Sequence, residues 1–427
     1  MEKKILMMIN FFPPAAGGGV YRPLAFVKYL DRLSWNVTVI APKPGGFWIS
    51  DPGLEQQIPE GARVVRTGSL SGQSLLGAFR KGGGGGSTRP SGAFEGLRRL
   101  GEFFLVPDTY RGWAPFAYRA AARLCRQEHF DVLYSTSPPD STHLVAARCA
   151  RSFSIPWVAD FRDPWMALHL RSTPTPLHRA IHERMERRAV GADRVLVTTE
   201  WHEEILKSRY PDCRTVRIPN GFDEEDFEGT DDVRPPGEPF TILHTGMLTL
   251  GRTVRPFLEG LALLFAEVPE LEGNIRVIFL GARETGNEAL VERFGLGKAV
   301  HFEDNVPHHE CIERELRSHV LLLVKHDDER YRGLVPGKLY EYIGAQRPIL
   351  AIVPEGEAAR TVRDLRRGEV APIGDASGIA GAIRKMYDLH SAGNLDGAYS
   401  LQEQPGYSRR AAAERLSSIL ESLRSER

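Results

Sequence analysis

Short apolar runs alternate along the chain with longer stretches whose apolar residues recur every three or four positions. The first pattern is that of buried strands and the second that of helices with one buried face. Residues 4–9 read as a first strand, 11–19 as a Pro- and Gly-rich loop ending in Gly17-Gly18-Gly19, 20–33 as a helix and 36–41 as a second strand. This strand, glycine loop, helix, strand order opens a Rossmann-like half. The alternation continues with a helix at 113–128, a strand at 130–135, a turn at Ser137-Pro138-Pro139-Asp140, a helix at 142–153 and a strand at 156–161. A charged helix at 178–190, a strand at 194–199 and a helix at 200–208 follow.

The acidic, Pro-rich run 224–239 reads as an interdomain linker, after which the pattern restarts. Strands are predicted at 240–244, 275–280, 300–303, 319–325 and 349–353, and helices at 254–266, 338–345, 376–389 and 407–423. Strands alternating with helices predict an α/β fold of two Rossmann-like, doubly wound domains. Their expected extents are 1–223 and 240–400, joined by 224–239, with 401–427 as a terminal helical segment.

Composition narrows the function classes. Length and a hydrophobic content of 42% are enough for two sizeable cores. Lys+Arg 55 balances Asp+Glu 55, so no net charge points to nucleic acid. The four cysteines, Cys125, Cys149, Cys213 and Cys311, include no CxxC pair and read as reduced, cytoplasmic residues. No apolar run approaches the roughly 18 residues of a membrane-spanning helix. Asn10 and Pro13-Pro14 interrupt the amino-terminal apolar run, which reads as a strand entering a loop rather than as a signal peptide. The low-complexity run Gly82 to Gly86 marks a flexible insert around 81–90. Beside it, Arg80, Lys81, Arg89, Arg98 and Arg99 lie close to Leu97, Leu100, Phe103, Phe104 and Leu105. That segment reads as a solvated loop before a core helix, with peripheral contact to an anionic membrane surface as the alternative. His308 and His309 are adjacent and cannot share a helix face as metal ligands would, and neither an HExxH nor an EF-hand pattern is present.

Candidate chemistry concentrates in the stretch 333–353. Pro336 suits a first helical turn, and Gly337 allows a ligand close to the backbone. The amino terminus of the following helix offers N–H groups and positive potential to an anion such as a diphosphate. Glu341, one turn further on, would repel phosphate and is better suited to accept hydrogen bonds from hydroxyls such as a ribose. In the first half, Asp160, Arg162 and Asp163 fall at the carboxyl end of a strand, where parallel sheets bind ligands, and Asp160 and Arg162 join Arg252 and Lys338 as catalytic candidates. A direct role for Arg162 and a structural Arg162–Asp163 pair are both open.

The stretch Gly333-Leu-Val-Pro-Gly-Lys-Leu-Tyr-Glu341 resembles the nucleotide-sugar signature of GT-B glycosyltransferases of the family-4 type. Supporting strings are Ile155 to Trp165, which is similar to a polysaccharide-type branch, the segment Ile218-Pro-Asn-Gly-Phe-Asp223, and Asn305-Val306-Pro307-His308. The resemblance implies two domains facing across a cleft, with the terminal helix crossing back onto the first. It implies a retaining transferase, cytoplasmic and with the inner membrane face as an alternative address. The donor would be a nucleotide-diphosphate sugar, UDP or GDP foremost. The acceptor would be a glycan, a lipid-linked molecule or a small molecule, and no metal is obligatory; Asp327-Asp328 keep Mg²⁺ open.

Residue by residue, the resemblance puts Glu341 on the nucleotide ribose, Arg252 and Lys338 on the diphosphate, and Gly18 and Gly19 beside both the acceptor and the diphosphate, among the donor-binding residues. Gly246, Val306, Gly337 and Leu339 complete the donor-binding set. Departures are Gly333 where the family carries its first Glu, Met247 where it carries an Arg, and Arg162 where many members carry His. Asp327, Asp328 or Glu329 could replace the missing carboxylate. A nucleotide-sugar 2-epimerase on the same fold, or a degenerate binding module, are the alternatives.

Overall fold

A computed structural model describes residues 2–44, 50–70, 105–166, 173–230, 232–248, 253–283, 285–326 and 328–426. The insert around 81–90, the basic segment beside it as far as Phe104, Arg252 and Asp327 lie outside the described residues. The chain folds as two units, Met1–Pro219 with Arg409–Arg427, and Asn220–Ser408.

The first unit holds a seven-stranded sheet of β1 (Lys3–Met8), β2 (Trp35–Pro42), β3 (Arg63–Thr67), β4 (Val132–Ser137), β5 (Trp157–Phe161), β6 (Arg194–Val197) and β7 (Thr215–Arg217). Their order is β3-β2-β1-β4-β5-β6-β7 and every pairing is parallel. Both faces are covered, so strand residues are apolar in unbroken runs rather than in alternation. Along β1, Ile5 and Met7 enter one core while Leu6 and Met8 enter the other. The terminal helix Arg409–Ser425 belongs to this unit and packs Ala413, Leu416 and Leu420 into the first of those cores, beside the helix Tyr21–Arg32. Trp35 Nε1 donates to Ser417 Oγ at 2.9 Å, and Lys3 pairs with Glu421 at 2.9 Å.

The second unit is a six-stranded parallel sheet of β8 (Phe240–Thr245), β9 (Ile275–Leu280), β10 (Val300–Glu303), β11 (Val320–Val324), β12 (Ile349–Ile352) and β13 (Gly368–Ala371). Its order is β10-β9-β8-β11-β12-β13. Here too the two faces share one run: Val320, Leu322 and Val324 enter one core, Leu321 and Leu323 the other.

Edge strands β3, β7 and β13 carry no strong sequence signal, because each has a single neighbour and stays half-exposed. The helices Thr285–Arg293, His308–Leu316 and Glu357–Asp364 are likewise too short for periodicity to show.

One buried ion pair anchors the first unit. Asp160, at the end of β5, is fully buried and receives Arg22 Nε and Nη2 at 3.0 Å each, with the Tyr134 hydroxyl at 2.6 Å. Burial alone would raise its carboxyl, but the Arg22 charge and these hydrogen bonds hold it below the usual carboxylate range. Arg22 Nη1 also donates to Pro219 O at 2.9 Å. Removing one partner leaves a buried charge alone, so Arg22→Met is expected to lower unfolding free energy by about 3–5 kcal/mol. Urea denaturation checks this, and a loss under about 1 kcal/mol would mean the pair is solvated in solution.

Candidate functional site

In each sheet the order reverses beside its first strand, between β1 and β4 and between β8 and β11. Loops leaving the carboxyl ends there diverge and open a crevice. In the second unit, β8 ends at Thr245 and turns at Gly246 with φ +94°, while β9 ends at Leu280 and turns at Gly281 with φ +137°. A Cβ on Gly281 would lie 2.6 Å from the Gly246 carbonyl oxygen, so two glycine backbones pack directly on each other.

The helix Gly337–Gly344 closes this crevice. Pro336 is its N-cap residue, extended at ψ 139°, and the Leu339 N–H turns back to Pro336 O at 3.0 Å. Lys338 in the first turn reaches the end of β8, where its Nζ donates to Thr245 O and meets His244 Nε2 at 3.0 Å. A Cβ on Gly246 would sit 3.1 Å from the same Nζ, which places the ammonium over the glycine turn. One turn on, the Tyr342 hydroxyl accepts from Thr245 N at 3.0 Å and donates to Leu322 O at 3.3 Å. Two side chains of the helix therefore hold it to β8 and β11. Glu341 stays partly exposed on the same turn.

Beneath them, Thr245 Oγ1 donates to Glu315 Oε1 at 2.7 Å. Glu315 is fully buried, and burial first, with the Glu341 charge second, pushes its carboxyl well above the usual range.

The loop before this helix answers part of the question posed by Gly333. Asp328 accepts from Arg330 N at 2.9 Å and ion-pairs with the Arg330 side chain, which lowers its carboxyl to about 2. Glu329 lies 3.7 Å from Arg332. Of the replacement carboxylates, Asp328 is thus committed within its own turn. Lys325 is buried at the end of β11 and donates to Tyr331 O and Leu334 O, tying the loop down. On the loop after β10, Val306 is partly buried, and Asn305 Oδ1 accepts from Ala282 N at 3.2 Å. His308 begins the next helix and meets Asp226 at 3.1 Å. Among the described residues, no group of three or more His, Cys, Asp or Glu side chains is arranged to hold a metal ion. Met247, beside Gly246, is exposed.

In the first unit the loop after β1 carries Gly18 and Gly19. Arg162, leaving β5, donates from Nε to Ser137 O at 2.8 Å, from Nη2 to Pro138 O at 2.7 Å and from Nη1 to Gly19 O. The guanidinium thereby ties the glycine loop to the end of β4, and its hydrogen bonds go to these carbonyls. Asp160 lies deeper, enclosed by Arg22, Tyr134 and Thr136. The second unit brings Gly246, Gly337, Lys338, Leu339 and Glu341 to one crevice, with Val306 on a neighbouring loop of the same sheet edge. Gly18, Gly19, Asp160 and Arg162 gather at the equivalent edge of the first. Sequence reasoning passed over His244, Thr245, Tyr342, Glu315 and Lys325. A polar pair at the end of an apolar strand, His244-Thr245, was the available signal.

Residues 16–226 match Glycosyltransferase Family 4, and residues 244–388 match Glycosyl transferases group 1. No curated protein matches the sequence. Among solved structures, sucrose-phosphate synthase from Thermosynechococcus elongatus is similar at 17% identity and TM-score 0.68, covering 100% of both chains. Anabaena HepE in complex with UDP-glucose is similar at 15% identity and TM-score 0.61, over 98% of this chain and 99% of that one. The α,α-trehalose 6-phosphate synthase from Burkholderia multivorans is similar at 12% identity and TM-score 0.62, over 100% of this chain and 98% of that one. At such identities these likenesses speak for the fold, and the two family matches together run through most of both units. The chain belongs to the GT-B glycosyltransferases, with a family 4 amino-terminal domain and a group 1 carboxyl-terminal domain.

Proposed function

We propose that the second unit binds the diphosphate of a nucleotide sugar, UDP-linked in the first instance, at the Gly246 turn and the amino terminus of the helix Gly337–Gly344. The observation that carries this is the Lys338 ammonium, held over a side-chain-free turn at the positive end of a helix. Fixed positive charge there stabilises the diphosphate as it leaves, without reorganisation during the reaction. Glu341 accepts the ribose hydroxyls and spends binding energy on positioning. Backbone groups at Gly337, Leu339 and Val306 complete the donor contacts, and Arg252 adds a second cation to the diphosphate. A preference for UDP is supported by Anabaena HepE, whose structure holds UDP-glucose.

Transfer proceeds with retention to a glycan, lipid-linked or small-molecule acceptor admitted along the Gly18-Gly19 loop. In this reading Asp160 and Arg162 hold the acceptor loop in shape and do not touch substrate. The four free cysteines support a reducing, cytoplasmic compartment. Among the described residues no helix is long and apolar enough to cross a membrane.

Calorimetry with UDP-, GDP-, dTDP- and ADP-sugars, with and without Mg²⁺, tests the reading. One nucleotide class should bind, and NMR of the product should show the donor's anomeric configuration kept. Absence of binding in the folded protein would overturn the donor site, an inverted product would overturn retention, and conversion of the nucleotide sugar without an acceptor would point to an epimerase.

A further inference from the structure

We propose that His244 is a positioning residue for Lys338: a neutral imidazole that aims the ammonium at the Gly246 turn without cancelling its charge. This rests on the donor-site reading above and names a residue that reading does not use. His244 is fully buried in β8. Its Nδ1 lies 2.8 Å from Leu322 O. A carbonyl oxygen only accepts, so Nδ1 carries the proton and Nε2 presents a lone pair. That lone pair faces Lys338 Nζ at 3.0 Å, and the Thr245 carbonyl takes another of the ammonium protons. These two acceptors are neutral. A carboxylate in the place of His244 would orient the lysine equally well but would form an ion pair with it, leaving little net charge for a diphosphate. An apolar side chain would keep the charge and lose the aim.

The orientation of the imidazole is itself imposed from outside the helix. Leu322 O, on β11, accepts from both His244 and the Tyr342 hydroxyl. The strand on one side of the order reversal therefore sets a side chain on the other, and that side chain sets the lysine. The ammonium's place over Gly246 is built by the sheet rather than by lysine rotamers, which spares the entropy of ordering a long chain when the ligand arrives.

The test uses the full-length protein and the variants His244→Gln, His244→Leu and His244→Glu, each first shown to be folded by thermal denaturation. Binding of UDP is compared with binding of uridine, and GDP with guanosine, by calorimetry. His244→Leu and His244→Glu are expected to weaken the diphosphate by about tenfold or more while leaving the nucleoside within about threefold. His244→Gln, a neutral acceptor, is expected to retain most of the affinity. In a Lys338→Met background His244→Leu should cause no further loss, since the effect runs through the lysine. Equal losses for diphosphate and nucleoside, additive losses in the double variant, or unweakened UDP and GDP binding by His244→Glu would each overturn the proposal. A readout independent of any nucleotide separates this from failure of the donor site. In protein labelled with ¹⁵N-histidine, His244 should show the Nδ1–H tautomer, and its Nε2 resonance should move in Lys338→Met. An unmoved resonance overturns the His244–Lys338 contact even if the wild-type protein binds no nucleotide.

Discussion

Replacing Lys338 by methionine is expected to lower turnover by about 10²–10³-fold at saturating donor, with a much smaller change in KM. Methionine keeps most of the side chain's length and removes its charge. The charge matters most when the sugar–phosphate bond breaks, because the diphosphate gains negative charge in that transition state and only interactions strengthened there accelerate the step. Lys338 is held by the end of β8, with its Nζ between the Thr245 carbonyl and His244 Nε2. Steady-state kinetics with a labelled nucleotide sugar provide the measurement. A kcat within about threefold of wild type would remove Lys338 from the leaving group and shift that role to Arg252 or to the helix N–H groups.

Glu341→Ala is expected to act on the other quantity. Donor affinity should fall by about 10–100-fold, the loss for hydrogen bonds to a charged acceptor, while kcat at saturation changes little. The partial exposure of Glu341, on the turn after Lys338, suits a carboxylate that meets ligand hydroxyls. The Glu341 charge also helps to raise the Glu315 carboxyl, so its loss removes that contribution and leaves the larger one from burial. Calorimetry with the preferred nucleotide and with its 2′,3′-dideoxy analogue makes the assignment specific. The wild-type protein should prefer the natural ribose, and Glu341→Ala should lose that preference. Unchanged affinity for the natural nucleotide in a folded Glu341→Ala protein would withdraw Glu341 from the ribose.

Several elements show how far local pattern reaches. The apolar runs of β8, β9 and β11 stand out because strands covered on both faces have no polar side to mask them. The turn at Gly246 and the helix that begins at Gly337 stand out because glycine permits backbone conformations that other residues avoid and proline fixes one that suits a helix start. β13 does not stand out, since an edge strand with a half-exposed surface has the composition of a loop. Arg162 was legible as an important residue and illegible in its role. An arginine at a strand end reads the same whether it binds a phosphate or, as here, ties Gly19, Ser137 and Pro138 through their carbonyls.

By itself the sequence determined the succession of strands and helices, the restart in the second half, and the glycine turn and helix start that resemble a nucleotide-sugar site. Tertiary structure alone decided which polar side chains meet. His244 and Lys338 are 94 positions apart, and Arg22 and Asp160 are 138 apart. Each pair meets because its sheet fixes strand order, with β8 beside β11 in one and β5 next but one to β1 in the other, so that side chains from distant segments reach one carboxyl edge. Burial periodicity is a local property of the chain and is written in every short window. The partner of a buried polar atom depends on strand order and register, which arise from packing over the whole domain and which no short window contains.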